Sequence, residues 1–307
     1  MKKMLVIGSI NMDIVNKVEK HPLPGETIAG LGVSYIPGGK GANQAVAAAK
    51  AGGMVTMLGA VGTDAFGKTL AESLRKYGVN IEDIITKDTS SGLAFITVDA
   101  KGENTIILSG GANTALAPED LAPYLDSLEN YRLVLLQNEL HKSTNEWLIE
   151  EASKRGVPIF WNPAPAYKAP PALLAKIDTL IVNETEAEIM TGIKIKGENE
   201  AEKAAKLLMA NGVRHVLITL GTNGSYFYGK NGEAVYTKAY KVQAVDTTAA
   251  GDTFIGAFAQ AKLFDMPIKE GLQFAAAAAA IAVTRVGAQQ SSPTSEEIKE
   301  FLKAEQC

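Results

Sequence analysis

Cysteine is all but missing: the single one, Cys307, is the last residue of a 307-residue chain. One thiol cannot form an intrachain disulfide or a cysteine-based metal cage, and a reducing compartment suits such a chain. Histidine is scarce as well. His21, His141 and His215 are widely separated, with no H-E-x-x-H spacing, and read as structural or surface residues. No run of Lys or Arg occurs and the net charge is −4, so the cationic surface that a nucleic acid demands is lacking. The longest apolar run, Phe274 to Val283, is too short and too alanine-rich to cross a bilayer. The opening Met1-Lys2-Lys3-Met4-Leu5-Val6-Ile7-Gly8 starts like a signal peptide, but its apolar run stops at once and Asn11 and Asp13 follow. A cytoplasmic location is expected. Two nucleotide-binding signatures are absent too, the P-loop G-x-x-x-x-G-K-[ST] and the dinucleotide G-x-G-x-x-G.

What is present is an ordinary globular composition, 46% hydrophobic and 21% charged, enough for one large α/β domain with a sizeable core. Met4–Gly8, Met54–Val61, 133–137, 157–161, 179–182 and 216–219 are short apolar runs, the pattern of buried parallel strands. From residue 118 onward they alternate with helical patterns, so a doubly wound, mostly parallel sheet flanked by helices is expected. Three β-prone stretches break the alternation: 27–36, 93–98 and 105–108. They predict a small antiparallel sheet inserted into the core, whose open edges invite pairing with a second copy as a homodimer.

The residues that carry chemistry cluster at the predicted strand ends. Asn11 and Asp13 follow the first strand and share one face of an extended backbone, where they would suit paired sugar hydroxyls or cap a turn. Gly38-Gly39-Lys40-Gly41-Ala42-Asn43-Gln44 combines backbone freedom with a charge and an amide, and is expected to close as a loop on a ligand. Glu139, Asn162, Asn183 with Glu186, and Thr219 to Gly224 recur at later strand ends. Val245-Asp246-Thr247-Thr248-Ala249-Ala250-Gly251-Asp252 reads as a strand end, a turn of small residues and a helix start. Free N–H groups at such a start attract anions, and small side chains let a phosphate approach. Asp252 would then face the ligand, or merely complement the helix dipole. The run Ala275–Ala280 permits close helix packing, or close approach of a flat ligand.

Read together, Gly38–Asn43 and Asp246–Asp252 resemble the two signatures of the ribokinase-like carbohydrate kinases. Gly8–Asp13, Asn162-Pro163-Ala164-Pro165 and Asn183–Glu188 extend the likeness over nearly the whole chain. The resemblance implies one kinase domain over 1–307, with lid segments at about 11–37 and 88–110. It implies ATP-dependent phosphorylation of ribose at its 5-hydroxyl; a kinase for 2-deoxyribose or a nucleoside, or a non-catalytic sugar-binding sensor, are the alternatives. Asn11, Asp13, Gly39, Lys40, Gly41, Ala42, Asn43 and Glu139 would hold the sugar, and Asp252 would be the general base. Asn183, Thr219, Leu220, Gly221, Thr222, Asn223, Gly224, Ala249, Ala250, Gly251 and Ala276 would meet the nucleotide, with Glu186 acting on Mg²⁺ through water. A potassium site is implied at Asp246, Thr248, Ala282, Arg285, Gly287 and Ser291. Asp246 has a plainer reading, a side-chain hydrogen bond fixing the turn at Thr247 and Thr248. The family often carries glycine where Ala249 stands, and alanine argues against a positive φ there.

Overall fold

The computed structural model describes residues 2–305, so Cys307 lies outside the described residues. Its strands are β1 (Lys3–Ile7), β2 (Asn11–Lys17), β3 (Gly32–Gly38), β4 (Met54–Gly62), β5 (Ile84–Lys87), β6 (Gly92–Val98), β7 (Asn104–Ser109), β8 (Leu133–Gln137), β9 (Ile159–Asn162), β10 (Thr179–Asn183), β11 (His215–Thr219), β12 (Ser225–Gly229) and β13 (Ala234–Thr237). Nine of them form one sheet in the order β13-β12-β11-β10-β9-β8-β1-β4-β5. All its pairings are parallel except β11–β12 and β12–β13, an antiparallel hairpin that closes one edge.

Successive strand residues point to opposite faces, and here both faces are covered. Met4, Val6, Leu133 and Leu135 enter one core, with the helices Lys40–Lys50, Ala250–Leu263 and Ile268–Val283. Leu5, Ile7, Val134 and Leu136 enter the other, with Lys142–Lys154 and Glu198–Ala210. This two-sided burial is why the strands read as unbroken apolar runs. Among the described residues no helix is long and apolar enough to cross a membrane.

Small residues bring the helices of the first core unusually close. A Cβ on Gly256 would lie 2.6 Å from the Gln44 carbonyl oxygen and 2.7 Å from the Ala47 Cβ. Ala275, Ala277 and Ala278 are fully buried in the same core. The alanine run therefore serves helix packing, and Ala276 is buried with it.

The second sheet has the order β3-β2-β6-β7. It is not wholly antiparallel as expected: β2–β3 and β6–β7 are antiparallel hairpins, but β2 and β6 run parallel. The reason is topological. Both hairpins leave the same end of a parallel sheet, one after β1 and one after β5, so their first strands point the same way. The first arm begins with Asn11 and its return strand starts at Gly32, several residues later than the β-prone stretch from Thr27 suggests.

Candidate active site

The main sheet changes direction at β1: the chain moves outward to β4 and β5 on one side and later to β8, β9, β10 and β11 on the other. Crossovers on either side of such a point leave a crevice beyond the carboxyl ends of the strands, where α/β folds bind ligands. Gly8 and Ser9 follow β1 there, Gln137 and Glu139 end β8, and Asn162 ends β9. Asn183 on β10 lies opposite Thr219 on β11.

Gly38–Gln44 is not a loop. β3 ends at Gly38, Gly39 is the cap at φ 90°, and the helix begins at Lys40. Gly41 makes this abrupt start possible, because a Cβ there would lie 2.6 Å from the Ser9 nitrogen. Ser9 binds the junction from below: its hydroxyl donates to Glu139 Oε2 at 2.5 Å and accepts from the Gly41 N–H at 3.2 Å. The Lys40 N–H also donates to Glu139 Oε2, at 3.2 Å. Ala42 is fully buried, with its N–H given to the Ser9 carbonyl at 2.9 Å. Of the first-turn residues, Lys40 and Asn43 present side-chain polar groups to the crevice.

Asp252 sits in the first turn of the Ala250–Leu263 helix and is held through both carboxylate oxygens. Asn43 Nδ2 donates to Oδ2 at 3.1 Å and Gln44 Nε2 to Oδ1 at 2.9 Å. Asn43 Oδ1 is buried with no protein partner, which leaves an acceptor for a ligand hydroxyl. No strand precedes the helix: residues 238–249 are irregular. Ala249, the cap, adopts φ 56° and ψ 18°, the left-handed region, contrary to the expectation drawn from its having a side chain. The Ala250 N–H is taken by the Thr247 carbonyl. That leaves Gly251 and Asp252 as first-turn donors without intrahelical acceptors. The space beside Gly251 is open for 4 Å around the position of a Cβ, room that a phosphate could use.

Charges crowd the crevice. Burial, helped by the charges of Glu139 and Asp252 and opposed by Lys40, pushes Asp13 up to about 7. Asp252 above all holds Lys40 above the ordinary lysine range, against the effect of burial and with help from Glu139, Glu186 and Asp13. Burial also raises Glu186, against the Asn183 N–H and Lys40. One lysine thus balances four carboxylates, an arrangement suited to a polar ligand carrying hydroxyls and compensating charge. Asn11 turns its Oδ1 to Asn113 Nδ2 at 2.7 Å, and Asn113 also holds the Ile10 backbone. Ser9, Gln44, Asn113 and Gln137 carry no sequence signal of their own. Only the Gly-rich motif around Gln44 and the glycine pair before Asn113 hint at them.

Farther along the crevice, Asn183 and Glu186 form a reciprocal cap, with bonds of 2.8 and 2.9 Å. Gly221, Thr222 and Asn223 make a short turn on the surface, whereas Leu220 is 2% exposed and belongs to the core. Of the six residues of the implied potassium site, Thr248 and Gly287 are joined to Asp246. Its carboxylate accepts from the Thr248 N–H at 2.9 Å and from the Gly287 N–H at 2.8 Å. Although burial alone would raise it, these hydrogen bonds hold the Asp246 carboxyl below the ordinary range. Ser291 is buried, with its hydroxyl donated to the Ala288 carbonyl, and the Arg285 guanidinium turns away to Glu297 at 2.6 Å. Among the described residues no group of three or more His, Cys, Asp or Glu side chains is gathered as a metal cage.

Residues 1–295 match the pfkB family of carbohydrate kinases. A ribokinase from Haemophilus influenzae is 42% identical over 303 residues, covering 98% of this chain and 99% of its own. A deoxyribokinase from Salmonella typhimurium is 37% identical, with 97% of each covered. The structure of Arabidopsis thaliana ribokinase complexed with ribose and ATP superposes with a TM-score of 0.90 at 35% identity, over 99% of both chains. With the doubly wound sheet, the inserted second sheet and an acid at a helix start, this chain belongs to the pfkB family of carbohydrate kinases.

Proposed function

We propose that the chain transfers the γ-phosphoryl group of ATP to the 5-hydroxyl of D-ribose, giving ribose 5-phosphate and ADP. The observation that carries this reading is the Asp252 carboxylate, fixed at a helix start between donors from Asn43 and Gln44. Asn11, Asp13, Lys40, Asn43 and Glu139 hold the sugar so that its hydroxyl lies against Asp252. As the sugar oxygen bonds to phosphorus, its proton passes to Asp252, and the bond to ADP breaks with its electron pair leaving on the nucleotide. The Gly251 and Asp252 N–H groups face the developing charge. The second sheet covers the sugar and excludes water, a competing acceptor. Asn183, Thr219 and the backbone of 220–224 flank the nucleotide.

Mg²⁺, when bound on the phosphates, would spread their charge, with Glu186 placed to orient it through water. K⁺ fits the oxygens around Asp246: a carboxylate with free lone pairs, the Ser291 hydroxyl and backbone carbonyls. A cytoplasmic location, where ATP is at hand, is part of the proposal. A symmetric homodimer through the second sheet completes the proposal.

ADP release measured across ribose, 2-deoxyribose, fructose and adenosine tests it. Ribose should give the highest kcat/KM. A preference for 2-deoxyribose would move the substrate to the reading favoured by the Salmonella relative, and no turnover with any acceptor would leave a sugar-binding sensor.

A further inference from the structure

The two amides on Asp252 differ in what stands behind them. Asn43 borders the crevice, but Gln44 is fully buried and reaches Asp252 from within the protein. Its Nε2 also meets Asn162 Oδ1 at 3.1 Å, and its Oε1 accepts from Gln137 Nε2 at 2.7 Å. Asn162 is anchored in turn to the Ile181 carbonyl at 3.0 Å. Gln137 can lie across the end of β1 only because Gly8 has no side chain: a Cβ there would fall 1.9 Å from Gln137 Oε1. Gln44 is therefore locked by β8 and β9, two elements of the rigid sheet, and passes that rigidity to a carboxylate on a surface helix start.

We propose that Gln44, held by Gln137, is a positioning residue that orients the Asp252 carboxylate for taking the sugar proton. This rests on the reading of Asp252 as the base. Orientation matters because a carboxylate free to rotate offers its lone pair to the hydroxyl only part of the time, and small misplacements of a reacting group are costly. Gln44→Met leaves the Asn43 donor on Asp252 in place, so the effect read is that of the buried amide.

The test is kcat and KM for ribose in the full-length enzyme, for Gln44→Met, Gln137→Met and Asp252→Asn. Gln44→Met, similar in volume but without donors, should lower kcat about ten- to a hundredfold. KM for ribose should be little changed, because the sugar contacts remain, and this split between kcat and KM marks a positioning role. Gln137→Met should act in the same direction and less, since Gln44 is kept but unanchored; it decides the question if Gln44→Met fails to fold. Asp252→Asn should cost about 10²–10⁴ in kcat. If Asp252→Asn collapses while Gln44→Met and Gln137→Met keep the wild-type kcat, Gln44 is not a positioning residue and the base stands. Near-wild-type kcat in Asp252→Asn would overturn both.

Discussion

At the scale of single residues, Asp13 shows how the crevice turns burial into chemistry. An aspartate is expected near 3.8, but burial together with Glu139 and Asp252 pushes this one up to about 7. The folded chain therefore keeps a proton that the unfolded chain has lost between those values. Stability contributed by this group is fully present below 3.8 and is lost as pH rises through about 7. Each pH unit in that window removes up to about 1.4 kcal/mol. Melting of the ligand-free protein should thus decline from pH 5 to pH 8, and Asp13→Asn, which has no proton to lose, should flatten the decline. Equal pH slopes in the two proteins would refute the assignment. Added ribose should counter the loss by supplying hydroxyl donors to the charged form.

At the scale of elements, the start of the Ala250–Leu263 helix is strained and tied down. Ala249 sits at φ 56°, a region that costs a non-glycine residue about 1–2 kcal/mol. The turn is held there by the Asp246 carboxylate, which accepts from Thr248 and from Gly287, 41 residues further along the chain from Asp246. Ala249→Gly should relieve the strain and stabilise the protein by up to about 1 kcal/mol, part of the gain being lost to the greater freedom of the unfolded chain. A lower melting temperature in Ala249→Gly would show that the turn is not strained. The same ties explain why a monovalent cation would matter: ligation by Asp246 and neighbouring carbonyls adds a further cross-link beneath the helix-start donors. Activity should rise several-fold when K⁺ replaces Na⁺ at constant ionic strength, and Asp246→Ala should abolish the rise. Equal rates in carefully K⁺-free Na⁺ and in K⁺ would remove the cation from the mechanism.

At the scale of the whole molecule, the second sheet is the surface least explained by a single chain. Register places Val33, Tyr35, Phe95 and Ile107 on one face, and Ile106 and Leu108 on the other. Ile107 is 66% exposed and Tyr35 57%, while β3 and β7 are open edges. Contiguous apolar side chains beside unpaired edges are an aggregation hazard unless covered, and a second copy offers a closed, symmetric cover. Light scattering at micromolar concentration should give twice the 32.4 kDa of the chain. Ile107→Asp together with Leu108→Asp, one on each face, should shift the protein toward monomer and lower its affinity for ribose, because the cover over the sugar is loosened. A wild-type monomer at that concentration would exclude the dimer.

The local signals in the sequence determined much of this protein. Unbroken apolar runs such as Leu133-Val134-Leu135-Leu136 announce strands buried on both faces, because both faces of the sheet are covered. Polar residues following those runs announce a polar edge of the sheet, and the small residues before Asp252 announce a helix start. Periodicity reports which residues avoid water, but not what they meet. Only the tertiary structure decided that β2 and β6 run parallel, that β12 and β13 close the sheet, and that Ala249 takes a left-handed turn forced on it by Asp246 and the packing of the following helix. It also decided that Gln44, 208 residues from Asp252 and 93 from Gln137, joins the two. A glutamine in a helical stretch looks like any other until folding removes water and sets its amide among Asp252, Gln137 and Asn162.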